Sequence, residues 1–419
     1  MRLGILIAAC LLIAVAGLLF LSSHAEIPPI SQPAASAFDA ALVARGAELA
    51  AIGNCAVCHT RQGGEIFAGA RAVPTPFGAI YSTNITPDSR TGIGRWSEAA
   101  FQRAMHEGVN RAGEQLYPAF PYDHFTQVTD DDDRALYAYL MTREPIQAPA
   151  ARNKIWFPLK FRPLIAAWKA LYFKTGPYRA DISQSSEWNR GAYLAKGLGH
   201  CGACHTARNV LGAERTNQSY AGARVEGWDA YALNHSAPAP VPWTSQSLQK
   251  YFETGWHVQH GVARGPMAGV TADLAAASKA DIHALAVFIG SQINSTRVVA
   301  TNFSEKQPGL GAEIYAASCS SCHDGTRALP FGGIDLKLST AVNAPSPRNL
   351  INVTLLGLST AEGRAGAIMP GFDGAISDVQ LAALLEDLRA GYSDKAPWRE
   401  LPEEIQAARR AIKNGNEGL

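Results

Sequence analysis

Cys55-Ala56-Val57-Cys58-His59 occurs again in altered form as Cys-Gly-Ala-Cys-His at 201–205 and as Cys-Ser-Ser-Cys-His at 319–323. Two thiols three positions apart on one helical turn can each form a thioether with a haem vinyl group. The adjacent histidine can then bind the iron. Three copies therefore predict three covalently bound c-type haems. The predicted haem-binding residues are Cys55, Cys58, His59, Cys201, Cys204, His205, Cys319, Cys322 and His323.

Other uses of paired cysteines fit this pattern less well. A zinc site would combine two Cys-x-x-Cys pairs and leave the following histidine without a role, and three pairs do not divide evenly among four-ligand sites. A thioredoxin-like redox pair needs one such motif beside a βαβ pattern. A disulfide framework does not explain why histidine follows every pair.

Spacing and composition indicate a mostly α-helical chain of three tandem class I cytochrome c domains. The chain has 419 residues, which suggests two to four domains, and the three motifs favour three. Lys and Arg total 37 against 36 Asp and Glu, so no broad basic surface indicates nucleic acid as a partner. Each motif follows a similar helical entry, at 45–49, 190–194 and 310–314, and each unit closes with an amphipathic helix.

These repeats set the predicted boundaries. The predicted segments are a signal or membrane anchor (1–25), a linker (26–37), cytochrome c domain 1 (38–150), a basic aromatic linker helix (151–182), cytochrome c domain 2 (183–298), cytochrome c domain 3 (299–394) and a C-terminal tail (395–419).

The N-terminal segment predicts export. The run from Leu3 to Leu21 carries no charge, and Ser23-His24-Ala25 follows as a plausible small-residue cleavage site. The run is also long enough to span a bilayer, so an uncleaved anchor and a removed signal peptide both stay open, with the anchor slightly favoured. Cys10 loosely fits a lipoprotein box, but too little apolar sequence precedes it.

The second axial ligand of each iron should come from the loop before the closing helix. Met267, in Gly265-Pro266-Met267, and Met369, in Met369-Pro370-Gly371, stand at that station in the second and third domains. Thioether ligation raises the haem potential, whereas a second histidine lowers it. Both methionines are therefore predicted iron ligands.

The first domain departs from this pattern because Phe120 occupies the position that is equivalent to the methionine. His124, four residues later, is the first-ranked ligand. Met105 ranks second, although it matches Phe252 and the safer interpretation there is structural. An open coordination position ranks third.

The segment from Arg152 to Arg179 contains no acidic residue and mixes basic with aromatic side chains. Phe161, Leu164, Ile165, Trp168 and Leu171 would share one face of a helix. Such a helix either lies in a bilayer interface or packs this face against a haem domain, and the sequence favours neither.

Longer motifs resemble a known family, the triheme cytochrome c subunits of bacterial membrane-bound dehydrogenases that oxidise alcohols, aldehydes, sugars or N-heterocycles. The resemblance covers roughly residues 38–400. It is carried by Thr75-Pro76-Phe77-Gly78, Tyr81–Pro87, Leu116–Tyr122, Gly199–Thr206, Arg348–Ile351 and Met369–Phe372. Residues 261–267 and the third domain look most similar to members that serve molybdenum hydroxylases.

The resemblance implies a catalytic dehydrogenase partner of the alcohol, aldehyde or molybdenum hydroxylase type. Electrons would pass from that partner through the haems, often to ubiquinone, at the periplasmic face of the bacterial inner membrane, with the chain anchored or peripherally bound. The chain itself shows no flavin fingerprint or nucleophile arrangement, so no catalytic residues are predicted. Two alternatives from other classes stay open: a haem enzyme such as a peroxidase with an open first haem, and a cytochrome subunit of a terminal oxidase.

Overall fold

The computed structural model describes residues 2–3, 16–20, 22–294, 308–324, 332–359 and 367–413. The chain is mostly helical, as predicted. It divides into two compact units, one formed by Met1–Cys201 with Ala276–Ser278 and the other by Gly202–Ala275 with Lys279–Leu419.

The first unit contains seven of the described helices and a small antiparallel sheet in the order β1-β2-β3. The helices are α1 (Ala40–Ile52), α2 (Cys55–His59), α3 (Glu98–Glu107), α4 (Tyr122–Phe125), α5 (Asp130–Met141), α6 (Pro163–Tyr172) and α7 (Ser186–Lys196). The strands are β1 (Ala72–Thr75), β2 (Gly78–Tyr81) and β3 (Lys154–Ile155).

The helix α8 (Cys201–His205) leads into the second unit, which holds the remaining described helices and two short hairpins. The helices are α9 (Ser245–Thr254), α10 (Pro266–Leu274), α11 (Lys279–Ile293), α12 (Leu310–Ser318), α13 (Ser320–His323), α14 (Thr340–Asn343), α15 (Arg348–Leu356), α16 (Asp378–Tyr392) and α17 (Leu401–Lys413). The hairpins pair β4 (Ala223–Val225) with β5 (Trp228–Ala230), and β6 (Trp256–His257) with β7 (Gly261–Val262).

The helix before the haem motif packs closely on the closing helix, α1 on α5 in the first unit and α12 on α16 in the second. A glycine marks each crossing. A Cβ atom on Gly46 would lie 1.9 Å from the carbonyl oxygen of Ala135, and one on Gly311 would lie 2.2 Å from that of Ala383. The repeated Gly-Ala entry in the sequence is therefore explained by two backbones that approach too closely for a side chain.

The closing helices α5 and α16 are each capped by the side chain of the residue before their first turn. Thr129 accepts a hydrogen bond from Asp132 N at the start of α5, and Ser377 forms a capping box with Gln380 at the start of α16. Helix α17 lies in the segment predicted to be a tail. Its Leu401 and Ile405 are buried in the core formed by α15 and α16.

Helix α6 supports one of the two alternatives for the basic aromatic segment. Ile165 is buried and Trp168 contacts the ring of Tyr122, so this part packs against the first haem domain. The single predicted apolar face is wrong, because Phe161 and Leu171 are exposed instead. The reason is geometric: the helix begins at Pro163, so Phe161 precedes it.

Among the described residues, no helix combines the length and the apolar character needed to cross a membrane. Residues 4–15 lie outside the described residues, and with them lie Cys10 and most of the predicted signal or anchor.

Candidate haem sites

Each predicted proximal histidine is held by a backbone carbonyl from the loop that follows its motif. The Nδ1 atom of His59 lies 2.7 Å from the carbonyl oxygen of Thr83, that of His205 lies 2.6 Å from Tyr231, and that of His323 lies 2.9 Å from Ile334. A carbonyl oxygen can only accept, so Nδ1 carries the proton in all three rings. Each ring can then offer the lone pair of Nε2 to a metal, which is the usual arrangement of a metal-binding histidine.

Burial keeps two of these rings neutral. Desolvation lowers the pKa of His59 and of His205 below the usual value, and it outweighs the carbonyl hydrogen bond, which acts in the opposite direction. A neutral imidazole is the form that binds iron.

A backbone amide further along each loop fixes the haem-binding turn. Gly69 N donates to the carbonyl of His59 at 2.6 Å, Gly222 N donates to that of His205 at 2.8 Å, and Gly333 N donates to that of Cys322 at 2.9 Å. The hydroxyl groups of Thr60 and Thr206 accept further loop amides. Sequence analysis missed these supports, although the recurrence of Cys-His-Thr in the first two motifs could have indicated them.

Trp228 tests whether the second site fits a haem. The side chain is 5% exposed, and its indole Nε1 has no hydrogen-bond acceptor among the described residues. It lies three residues before Tyr231, whose carbonyl holds His205, and a Cβ atom on Gly265 would come within 2.5 Å of the indole. A buried donor between the proximal support and the segment of Met267 needs an acceptor, which a haem carboxylate would supply. These residues therefore fit the group.

The two predicted methionine ligands occupy fixed positions on the backbone. Met267 is half-buried in the first turn of α10, directly after Pro266. Met369 pairs with Leu358, donating its amide at 3.1 Å and accepting at 2.8 Å. Ligation by either sulfur atom stays a prediction.

The backbone of the first domain supports the match between Phe120 and Met267. In both domains a glycine ends the preceding helix. Its carbonyl accepts a hydrogen bond from the residue four positions before Phe120 or Met267. The two matching bonds, each 2.8 Å, join Leu116 to Gly108 and Ala263 to Gly255. The first domain thus presents a phenyl ring where the second presents a thioether.

His124 lies on α4 with its Nδ1 atom 2.7 Å from the carbonyl oxygen of Lys196. Its ring centroid is 6.4 Å from that of His200. The residue is thus held against the stretch that leads into the second motif, and only Nε2 could bind iron. Ligation of the first haem by His124 stays a prediction.

Met105 is 6% exposed in the core-facing side of α3, and Phe252, three residues before the matching glycine, is 8% exposed. The equivalence favours a packing role for Met105. Its neighbour His106 places Nε2 2.7 Å from a carboxylate oxygen of the fully buried Asp133. The pKa of His106 is raised, chiefly by this hydrogen bond, while burial raises the pKa of Asp133 to about 6.

Comparison with known proteins agrees with the geometry in two parts of the chain. Residues 43–144 match the family described as "Cytochrome c", and residues 307–386 match the one described as "Cytochrome C oxidase, cbb3-type, subunit III".

Several characterised proteins resemble most of the chain. A subunit of the nicotinate dehydrogenase of Pseudomonas putida is 44% identical over 387 residues, which is 90% of this chain and 33% of that protein. This chain therefore spans about a third of that relative. The fructose dehydrogenase cytochrome subunit of Gluconobacter japonicus is 34% identical over 79% of this chain and 74% of its own length. The gluconate 2-dehydrogenase cytochrome c subunit of Pantoea cypripedii is 33% identical over 88% and 90% respectively.

These relatives are cytochrome subunits of dehydrogenases and not peroxidases, so the haem-enzyme alternative is wrong. The oxidase subunit resembles one region of the chain, whereas the dehydrogenase subunits match most of it. The chain belongs to the cytochrome c subunits of dehydrogenase complexes, electron-transfer proteins with covalently bound haem c.

Proposed function

We propose that this chain carries three c-type haems and relays electrons from a catalytic dehydrogenase subunit towards the respiratory chain, with ubiquinone as the acceptor. The observation that carries this proposal is the threefold recurrence of one arrangement, a Cys-x-x-Cys-His turn whose histidine donates from Nδ1 to a loop carbonyl. Each arrangement belongs to one of the three tandem class I cytochrome c domains proposed here.

The haem supplies a reversible one-electron couple when bound, and the residues of the chain set how it is held. The two cysteines of each motif would attach one haem covalently, so it would be retained in both oxidation states. His59, His205 and His323 would offer Nε2 to the iron, because their Nδ1 atoms are fixed on backbone carbonyls. Met267 and Met369 would be the second ligands of the second and third haems.

Similarity among the relatives bears on the partner. The nicotinate dehydrogenase subunit has the highest identity of the relatives described above, which favours a partner that oxidises a nitrogen heterocycle, as a molybdenum hydroxylase would. A catalytic subunit acting on an alcohol, aldehyde or sugar is the second candidate, supported by the fructose and gluconate enzymes. We place the complex at the periplasmic face of the inner membrane.

Intact mass spectrometry of the mature protein tests the haem count. We expect three haem adducts, and replacing both Cys319 and Cys322 with alanine should remove one adduct and leave two. A fully matured wild-type chain with fewer than three adducts would contradict the proposal. Purification from native membranes should separately identify the catalytic partner, and recovery of a terminal oxidase instead would overturn its assignment.

For the first haem we propose His124 as the second axial ligand, with the consequence that this haem has the lowest potential of the three. In His124→Ala, near-infrared magnetic circular dichroism should lose a bis-histidine band, and one midpoint potential should change. His200→Ala is the matched control, since it removes a neighbouring ring. Three Met/His haems in the wild type would exclude His124 and favour Met105.

A further inference from the structure

Helix α6 is apolar on both sides, which is unusual for a helix at the surface. Its inner side packs on the first haem domain through Ile165 and Ala166, both 6% exposed. Its outer side consists of Ala167, Ala170 and Leu171, all exposed. A surface helix normally turns polar residues towards water, so an apolar outer side indicates a second contact surface.

The loop before α6 continues this surface with aromatic side chains. Trp156 is 67% exposed and Phe157 is 87% exposed, and Phe161 is also exposed. The loop is fixed in place, because Trp156 N donates to Phe77 O at 3.1 Å and Tyr117 Oη donates to Leu159 O at 3.1 Å. We call Trp156, Phe157, Phe161, Ala167, Ala170 and Leu171 the outer apolar face.

The exposed charged residues of the segment 152–179 itself are all positive, and the exposed Glu114 lies beside its Arg162, with a carboxylate oxygen 3.8 Å from the guanidinium. Lys154, Lys160 and Lys174 are exposed, and no acidic residue occurs between Arg152 and Arg179. Lys169 is different, because it turns inward and donates to the carbonyls of Glu107 and Gly108. Exposed aromatic rings flanked by lysines are typical of segments that lie in the interface of an anionic bilayer.

The residue His24, which follows the hydrophobic N-terminal run, lies close to α6. His24 contacts Gln115, with its Nδ1 atom 3.4 Å from the side-chain amide nitrogen. Arg162, at the start of α6, donates to the backbone oxygen of Gln115 at 2.7 Å, and Lys169 donates to its side-chain oxygen at 2.5 Å. His24, three residues after the uncharged run from Leu3 to Leu21, therefore lies against a residue that α6 also contacts.

We propose that the outer apolar face lies in the interface of a phospholipid bilayer containing anionic lipids. This inference deepens the membrane location in the proposed function and rests on it. The aromatic rings enter the boundary between headgroups and acyl chains, and the three lysines contact lipid phosphates. The bilayer is favoured over a protein partner because exposed aromatic rings stand together with the exposed lysines of the same segment, a combination that suits anionic headgroups.

Spin-label accessibility in the full-length haem-loaded protein tests the inference. Cys10 is changed to alanine, because the motif cysteines are consumed by thioethers, and Phe157→Cys is labelled with a nitroxide. The protein is reconstituted into phosphatidylcholine vesicles with and without phosphatidylglycerol. Ile182→Cys is the matched control, since Ile182 is fully exposed but lies in a loop whose Asp181 bonds to Asn189 of α7.

We expect the Phe157 label to collide several-fold more with oxygen and several-fold less with a water-soluble nickel chelate than the Ile182 label. The difference should be larger with phosphatidylglycerol and smaller at high salt. Equal accessibility of the two labels in sedimented vesicles would overturn the proposed face while leaving the membrane location intact. Protection of Phe157 only after the catalytic subunit is added would assign the face to that protein instead.

If the protein does not sediment with vesicles, both the proposed membrane location and this inference are contradicted. The haem count, measured independently, would be unaffected. The two failures are therefore distinguishable.

Discussion

Replacing Asn349 with alanine should loosen the proximal side of the second haem site from helix α15. The side chain of Asn349, on α15, accepts from Asp229 N at 2.9 Å and donates to Asp229 O at 2.9 Å. Asp229 belongs to β5, and two residues later the carbonyl of Tyr231 holds His205 at 2.6 Å. One amide thus clamps the strand that positions the proximal histidine.

The expected magnitude follows from these bonds. Two neutral hydrogen bonds together contribute about 1–3 kcal/mol to the free energy of unfolding, and the alanine variant leaves the Asp229 amide and carbonyl without either bond. A weaker hold on Tyr231 would weaken the hydrogen bond from His205 Nδ1. The imidazole would then be a weaker donor to a bound iron, which would favour the reduced state. If the variant stabilises the reduced haem relative to the oxidised haem by about 0.5–1 kcal/mol, one midpoint potential should rise by about 20–40 mV.

Potentiometric titration of the three haems, together with denaturant unfolding, measures both effects. Asn217→Ala is the control, because Asn217 is an exposed asparagine of the same unit. Lower stability with unchanged potentials would refute transmission to His205. Unchanged stability and unchanged potentials would refute the clamp itself.

Three further changes test the packing and the buried charges. Gly46→Ala should destabilise the first unit by several kcal/mol, because the new methyl group meets a helix backbone, whereas Gly290→Ala, with its nearest contact at 3.5 Å, should be tolerated; thermal unfolding compares them. His106→Ala should cost about 3–5 kcal/mol because it leaves the buried Asp133 without its partner, and adding Asp133→Asn should recover part of the loss in the same assay. Lys169→Met should cost about 2–3 kcal/mol at neutral pH by leaving carbonyl oxygens without a donor. Burial lowers the pKa of Lys169 to about 8, so above that pH the unfolded wild type binds more protons and the wild type should gain stability relative to the variant up to about pH 10; urea unfolding at two pH values would show no such relative gain if the amine were solvated.

The haem-binding turns could be predicted from the sequence alone because their chemistry is local. Cys-x-x-Cys-His places its three functional groups within one helical turn, so no long-range contact is needed to interpret it. The same holds for Thr129 and Ser377, whose capping depends on amides three residues away. The Gly-Ala entries at 45–49 and 310–314 were visible as repeats, although their cause, a close helix crossing, was not.

Features that depend on distant residues needed the tertiary structure. The carbonyl partners of the proximal histidines lie 24, 26 and 11 residues downstream, and no local pattern gives their loop geometry. The sides of α6 could not be assigned either, because residues of equal hydrophobicity cover both. The position of the surrounding chain buries Ile165 and leaves Leu171 in contact with solvent.

The sequence by itself determined haem c as the cofactor and the mostly helical class, because covalent chemistry and helix periodicity act over a few neighbouring residues. The family followed from the resemblance of longer motifs to known proteins. Only the tertiary structure decided what supports each histidine, which aromatic side chains stay exposed and how Asn349 reaches β5. Those contacts join residues up to 120 positions apart, and they depend on how complete loops pack.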